Sequence, residues 1–390
     1  MKLGFFASQL PYGPGYNPRS YFCGGSAIAL HSLIVELAKR KHAIDVFTTA
    51  ADSKDHHETH ANLAIHRYGT AFHFLNANVS SALFYKPLNY DVDLVTVSFD
   101  IPPNTLAGYV YALKKHVPLV LYHHGDFIAN YGSFVRRSSV SLFNSLFVDK
   151  MLSYATVIIS PSLSYIDVSD TLSKYRDKIR VIPNGINRDD FAISRTQDEC
   201  KAALGLGDDI QVILYLGDLS SPKGPDVLLR ALPRIVDTVP HALLLFAGDG
   251  PLRSHLGDLA RKLGVEGNVR FDGFVPHAET RLYYAASDVF VLPSKKDMYG
   301  LVAAEALMCG TPTIITRCCG IVDLVNETRC GYVVREDDIS ELADTVVYVL
   351  QNRIEAREKA RRGKHYLADT LSWQNIAEQF EDVYRSLAEA

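Results

Sequence analysis

Residues 289–312 read VFVLPSKKDMYGLVAAEALMCGTP. Four apolar, strand-favouring residues, Val289 to Leu292, give way to a loop containing Pro, Ser, Lys, Asp and Gly, then to a run without helix breakers from Leu301 to Met308. A short continuous apolar strand followed by a helix is the βα unit of a parallel sheet covered on both faces. Two acids interrupt the apolar character: Asp297 in the loop and, eight residues on, Glu305 in the helix. A buried carboxylate without partners is costly, so a helix that keeps Glu305 has to supply it with hydrogen-bond donors.

The same alternation runs outward in both directions and occurs twice. In the first half the apolar runs predict strands at Leu3–Ala7, Ala43–Thr48, Leu94–Ser98, Leu119–Tyr122 and Val157–Ser160. Helices are expected at Ile28–Arg40, Thr105–Lys115, Val140–Ser153 and Ser162–Lys174. Periodicity lapses around Ile182–Cys200, where Pro, Asn, Gly and charge accumulate as in a linker. A second series follows, with strands at Val212–Leu216, Ala242–Ala247, Val269–Phe271, Val289–Leu292, Thr313–Ile315 and Tyr332–Val334. Its helices are expected at Asp226–Val236, Leu252–Leu263, Ala278–Ala286, Leu301–Met308 and Ile339–Leu350. The chain closes with helical pattern from Ile354, in which Trp373, Ile376, Phe380, Val383 and Leu387 share a face. The expected class is α/β: two Rossmann-like, doubly wound domains facing across a cleft, 1–185 and 186–370, with a helix over 371–390 returning to the first.

The 390 residues are 47% hydrophobic and 22% charged, with net charge −4 and a pI near 6.4. That balance describes a folded protein able to bury large cores and offers no general basic surface for nucleic acid. Six cysteines form no Cys-x-x-Cys pair and no zinc-ligand spacing, which fits a reducing compartment. MKLGFFASQLPYGPG reads as a first strand rather than a signal peptide, and no apolar run reaches membrane-spanning length. A cytoplasmic location is expected. Peripheral contact with the inner face of a membrane stays open through Lys114, Lys115, Arg136, Arg137, Phe134 and Phe143, against the plainer reading of scattered surface charge.

Candidate chemistry gathers in the loops after strands. Gly24 and Gly25 precede a helix, where unpaired amides suit an anion or a sugar oxygen; an empty tight turn is the alternative. The pattern-free loop Gln9–Phe22 carries three tyrosines, among them Tyr12 and Tyr16, and suits an acceptor-side lid. His123, His124 and Asp126 follow an apolar strand, positioned for hydroxyl recognition or proton transfer, or for a purely structural role. Lys223 beside Gly224 in a strand-to-helix turn suits a phosphate, or is a solvated turn lysine. Gly248 in FAGDGP repeats that geometry. The amides of Gly300, Leu301 and Val302 open an anion site for a diphosphate. Ribose hydroxyls are suitable donors for Glu305, and Asp297 is placed to meet a sugar ring. The alternatives are a salt bridge for Glu305 and a dipole-favoured charge for Asp297.

Together these stretches resemble glycosyltransferase family 4, the GT-B enzymes that transfer sugars from nucleotide diphosphates with retention at the anomeric carbon. The resemblance spans nearly the whole chain. It is carried by Gly24-Gly25, His124-Gly125, Pro183-Asn184-Gly185, Gly217 to Gly224, Gly248 to Pro251, Phe271 to Val275 and, most specifically, the E-x7-E element from Asp297 to Glu305 running into Gly310-Thr311-Pro312. It implies an acceptor-binding first domain and a donor-binding second domain, with no cofactor beyond a UDP- or GDP-sugar co-substrate and no metal. Glu305 would bind the ribose, the Leu301 and Val302 amides the diphosphate, and Lys223 the leaving phosphate. Asp297 would contact the donor sugar, His124 would orient it, and Val275 would lie by the base. The acceptor would be a glycan, lipid-linked or small-molecule hydroxyl, with Tyr12, Tyr16 and Asp126 on its side. Three positions depart from the family pattern: Asp218 replaces an arginine, Asp297 replaces the first glutamate and Asp323 replaces a glutamate. The first inverts a charge beside the expected diphosphate, so Lys295 and Lys296 are expected to supply the missing cation. A nucleotide-sugar-binding partner subunit with weakened catalysis, and a nucleotide-sugar epimerase of similar fold, are the alternative functions.

Overall fold

Apolar runs become buried strands throughout the chain. The protein is described by a computed structural model covering residues 1–12, 23–74, 77–130 and 132–389. In chain order the strands are β1 (Lys2–Phe6), β2 (Ala43–Thr49), β3 (His56–His60), β4 (Leu63–Tyr68), β5 (Phe72–Phe74), β6 (Ala77–Val79), β7 (Leu94–Phe99), β8 (Leu119–His123), β9 (Val157–Ser160) and β10 (Ile179–Val181). They continue as β11 (Gln211–Leu216), β12 (Ala242–Ala247), β13 (Val269–Gly273), β14 (Val289–Leu292), β15 (Thr313–Thr316) and β16 (Tyr332–Val334). The chain divides into two compact units. One comprises Met1–Pro161, Ile166–Gly185 and Trp373–Ala390, and the other Ser162–Tyr165 and Ile186–Ser372.

The first unit is built on an eight-stranded sheet ordered β10-β9-β8-β7-β1-β2-β4-β3, parallel except where β3 runs against β4. β5 and β6 pair separately and antiparallel. Sequence pattern placed no strand between β2 and β7, and the reason is chemical. β3 (HHETH) is mostly exposed, and β4 buries His66 and Arg67 among its apolar residues. Those two are tolerated because distant partners meet them: His66 Nε2 lies 2.8 Å from Asp45 Oδ1, and Arg67 donates to the carbonyls of Leu10 and Pro11, each at 2.8 Å, and to Glu58 at 2.5 Å.

Two expected helices also differ. The segment read as Val140–Ser153 starts earlier, at Phe134, where the Ser133 hydroxyl accepts from the Arg136 amide, and it passes through a π turn, Asn144–Val148. The segment read as Ser162–Lys174 is a short helix, Leu163–Val168, then a 3-10 turn, Leu172–Lys178; the Ser169 hydroxyl accepts from the Thr171 and Leu172 amides at the break. Such side-chain to backbone bonds compete with helix continuation.

The second unit carries a six-stranded parallel sheet ordered β13-β12-β11-β14-β15-β16. Its central strands β11, β12 and β14 are almost wholly apolar and buried, as expected where helices cover both faces of a parallel sheet. The helix Pro225–Thr238, for example, buries Val227, Leu228, Ala231, Leu232 and Ile235 at helical spacing. β11 lies between β12 and β14, so the progress of the chain across the sheet reverses there, as it does at β1 between β2 and β7. Open α/β sheets bind ligands at the carboxyl ends of the strands beside such a reversal.

The helix Trp373–Ala388 belongs to the first unit. It buries Trp373, Ile376, Ala377, Phe380, Glu381 and Tyr384. The Phe380 ring lies 5.1 Å from that of Tyr122, and the Tyr384 hydroxyl is 2.9 Å from Thr96 Oγ1. Glu381 accepts from Arg40 Nη1 at 2.8 Å and lies 2.6 Å from His42 Nε2. Burial alone would raise the Glu381 pKa, but the bonds from His42 and Arg40 outweigh it and hold the carboxyl below its ordinary value. A depressed folded-state pKa gives stability that is present above about pH 4.5, the ordinary glutamate value, and is lost as pH falls through the folded value. Urea unfolding should therefore show Glu381→Ala less stable than wild type by roughly 1.5–3 kcal/mol at pH 7. Glu381→Gln should lose less stability than wild type between pH 5 and pH 3; identical acid slopes would refute the assignment.

Candidate functional site

The reversal at β11 in the second unit brings two loops together. The loop after β11 carries Lys223 and the loop after β14 carries Asp297, and Lys223 Nζ donates to Asp297 Oδ2 at 2.7 Å. The loops are tied by backbone as well: the Lys295 amide donates to the Pro222 carbonyl at 2.9 Å. A third loop, after β15, fixes the second. The Asp297 amide donates to the Cys318 carbonyl, the Gly320 amide to the Asp297 carbonyl, each at 3.0 Å, and the Ile321 amide to the Tyr299 carbonyl at 2.6 Å. Asp297 is thus set by its main chain before its side chain meets the lysine. Burial works against the charge on Lys223, but the Asp297 carboxylate and its hydrogen bond raise the lysine pKa above the ordinary value. The lysine is therefore charged at neutral pH.

Two glycines shape the surroundings. Gly248 has φ +152°, and a Cβ there would stand 1.9 Å from the Gly217 carbonyl oxygen, so the turns after β11 and β12 pass too closely for any side chain. Gly300, with φ +86°, caps the helix Leu301–Met308; among the described residues no side chain accepts from its first amides. The Leu301 and Val302 amides therefore begin the helix at its positive end, on the same loop as Asp297.

Glu305 lies one turn along that helix, its side chain 13% exposed. Tyr284, fully buried in the helix His277–Ala286, donates its hydroxyl to Glu305 Oε2 at 2.8 Å. His277, at the start of that helix, places Nε2 3.4 Å from Oε1. The donors demanded by a buried carboxylate are thus partly internal. The salt-bridge reading of Glu305 is present, with acceptor capacity left on both oxygens. Val275 is half-buried just beyond β13.

Both lysines expected to replace the missing arginine meet other side chains. Lys295 Nζ pairs with Asp337 Oδ1 at 2.8 Å, and Lys296 lies over the Tyr165 ring, 5.6 Å from its centre. Asp218 is exposed, with its carboxylate against Gly250. Asp323, the third departure, accepts from the Leu163 amide at 2.9 Å, the Ser164 amide at 3.0 Å and the Ser162 and Ser164 hydroxyls. It therefore caps the helix that starts at Leu163.

In the first unit a second cluster forms after β1, β7 and β8. Asp100 accepts from the Ser8 hydroxyl and, at 3.4 Å, from Ser26 Oγ beside Gly25, the first residue of the helix Gly25–Lys39. His124 is half-buried against Tyr122, with ring centres 4.1 Å apart, and its Nε2 has no hydrogen-bond partner among the described residues. Burial pulls its pKa down to about 4, against the opposing pull of Asp100, so the imidazole is neutral at pH 7. His123 is fully buried on the Phe99 ring, as strand alternation requires. Asp126 is committed internally: its Oδ1 accepts from Ser169 Oγ at 2.8 Å and Thr171 Oγ1 at 2.6 Å and lies 3.6 Å from His123 Nε2. Tyr12 is also engaged, its hydroxyl accepting from the Ala51 amide at 2.8 Å and its ring lying under Arg67. Tyr16 lies outside the described residues.

Sequence reading missed Asp100, Tyr284 and His277. Asp100 was within reach, as an acid immediately after an apolar strand. Tyr284 and His277 touch Glu305 from another helix, and no local pattern announces that contact. Among the described residues no three His, Cys, Asp or Glu side chains converge as metal ligands, and no helix is long and apolar enough to cross a membrane.

The profile described as Glycosyltransferase Family 4 matches residues 23–190, and that of Glycosyl transferases group 1 matches residues 196–366. A relative named uncharacterized glycosyltransferase MJ1607, from Methanocaldococcus jannaschii, is 28% identical over 95% of this chain and 96% of its own length. Sucrose-phosphate synthase from Thermosynechococcus elongatus superposes with TM-score 0.77 at 21% identity, covering 99% of this chain and 98% of its own. Anabaena Alr3699/HepE, solved in complex with UDP-glucose, gives TM-score 0.75 at 17% identity, covering 99% of this chain and all of its own. The profile matches account for both halves of the chain, and the solved structures share its fold: the chain belongs to glycosyltransferase family 4 and has the GT-B fold.

Proposed function

We propose that the protein is a retaining, metal-independent hexosyltransferase that takes its sugar from UDP or GDP and delivers it to a hydroxyl of a glycan, lipid-linked or small-molecule acceptor. The observation that carries this reading is the Lys223–Asp297 pair beside the open amides of Leu301 and Val302. A nucleoside diphosphate carries its charge where a lysine and a helix N-terminus would meet it. Lys223 then neutralises the leaving phosphate, Asp297 turns to the donor sugar, Glu305 takes the ribose, Val275 lies by the base, and Gly248 leaves room for the nucleotide. In the first unit, Gly25 and its helix start suit a sugar oxygen, and His124, neutral with an unmet Nε2, orients the sugar by hydrogen bonding.

In the proposed reaction the bond from the anomeric carbon to the leaving phosphate oxygen breaks, and a bond to the acceptor hydroxyl oxygen forms on the same face. The hydroxyl proton passes to the leaving phosphate. Stabilising that oxygen is electrostatic work, which suits fixed amides and a fixed lysine. The UDP-glucose complex of the Anabaena protein supports a nucleotide-sugar donor. Asp218 favours a second reading, a subunit that binds a nucleotide sugar without transferring it. Membrane contact, if made, falls to the exposed Phe134 and its helix.

Incubating the protein with panels of UDP- and GDP-sugars, with and without glycan and polyol acceptors, should release UDP or GDP in an acceptor-dependent way. Nucleotide binding without release in any combination would support the second reading instead, and release without acceptor accompanied by a converted sugar would point to an epimerase. Asp218→Arg restores a guanidinium beside Lys223. It should tighten UDP or GDP binding by about tenfold, as expected for one added charge-assisted contact. Unchanged or weaker calorimetric affinity would show that the diphosphate does not lie beside this turn.

A further inference from the structure

Glu305 has two oxygens and, when ionised, about four lone-pair sites. Tyr284 uses one on Oε2, at 2.8 Å, and His277 faces Oε1 from 3.4 Å. Tyr284 itself is fixed, its carbonyl accepting from the Thr311 hydroxyl at 2.7 Å. The Phe191 ring stands edge-on to the His277 imidazole, 5.7 Å between ring centres. A carboxylate held at both oxygens keeps one outward acceptor on each, spaced for two hydroxyls on adjacent carbons. A carboxylate held at one oxygen rotates about its last bond and presents no fixed pair.

His277 is an unusual residue for its place. It is the first residue of the helix His277–Ala286, where the dipole disfavours a cation. The hydrogen bond and charge of Glu305, with Asp190 adding to them, nonetheless raise its pKa against the effect of burial. Glu305 thus favours the charged imidazole at a helix start that otherwise disfavours it, and the two side chains face each other at 3.4 Å.

We propose that His277 is a positioning residue for the nucleotide: with Tyr284 it locks the Glu305 carboxylate in the orientation that recognises a cis-diol and so selects ribose over 2′-deoxyribose. This rests on the reading that Glu305 binds the donor ribose. His277 touches no substrate atom; its effect is transmitted through Glu305.

The test is calorimetric titration of the full chain with UDP, GDP and their 2′-deoxy counterparts. Wild type should bind the ribose form of its preferred nucleotide about tenfold or more tighter than the deoxy form, as for one hydrogen bond to a charged group. His277→Ala should bring that ratio to about twofold or less, chiefly by weakening the ribose form, and His277→Gln, which keeps an N–H donor, should recover most of it. A His277→Ala protein that keeps the full ratio overturns the proposal. So does one that weakens both forms equally, since that is the mark of a merely structural residue. Glu305→Ala separates the two levels: if it leaves nucleotide affinity unchanged, the ribose reading itself fails, whatever His277 does.

Discussion

The ion pair between Lys223 and Asp297 spans the one place in the second sheet where the chain reverses direction. An ion pair at a surface contributes little, but this one has an Asp297 side chain only 11% exposed and a backbone already fixed by the loop after β15. The carboxylate is paid for by structure rather than by the lysine alone. Its consequence is a lysine kept charged and aimed at the carboxyl ends of β11 and β14, where the helix Leu301–Met308 also directs its first amides.

Other features follow from that constraint. The turns after β11 and β12 have to pass within contact distance, which admits only glycine at position 248. Asp218 lies in the first of those turns and lowers the local positive potential that an arginine would raise. Lys295, expected to repair the loss, is paired with Asp337. Glu305 works under a separate constraint. It is an acid in an apolar helix, stabilised by a hydroxyl and an imidazole from a neighbouring helix and still able to accept further hydrogen bonds.

Much of this was legible in the sequence wherever one local rule decides the outcome. β12, β14, β16 and the helix Leu301–Met308 fall at the residues expected from their apolar runs, and in β12 and β14 nearly every residue is buried. Lys223 and Asp297 stood out in their loops and Glu305 in its apolar helix, though their contacts with one another and with other helices did not. What escaped was decided by distant partners. β4 buries Arg67 because the carbonyls of Leu10 and Pro11 receive it, and the bonds from Ser169 and Thr171 to Asp126 Oδ1 join residues more than 40 positions apart. Tyr284 and His277 belong to the same class, since a helix read alone does not show which carboxylate it will meet.

The central claim is that Lys223, held by Asp297 at the reversal of the sheet, meets a nucleoside diphosphate. The most direct measurement is the affinity of Lys223→Met for UDP and GDP, titrated beside wild type at two salt concentrations. Losing one charge-assisted contact should weaken binding roughly tenfold to a hundredfold and reduce its salt dependence. Affinity and salt dependence equal to wild type would contradict the account.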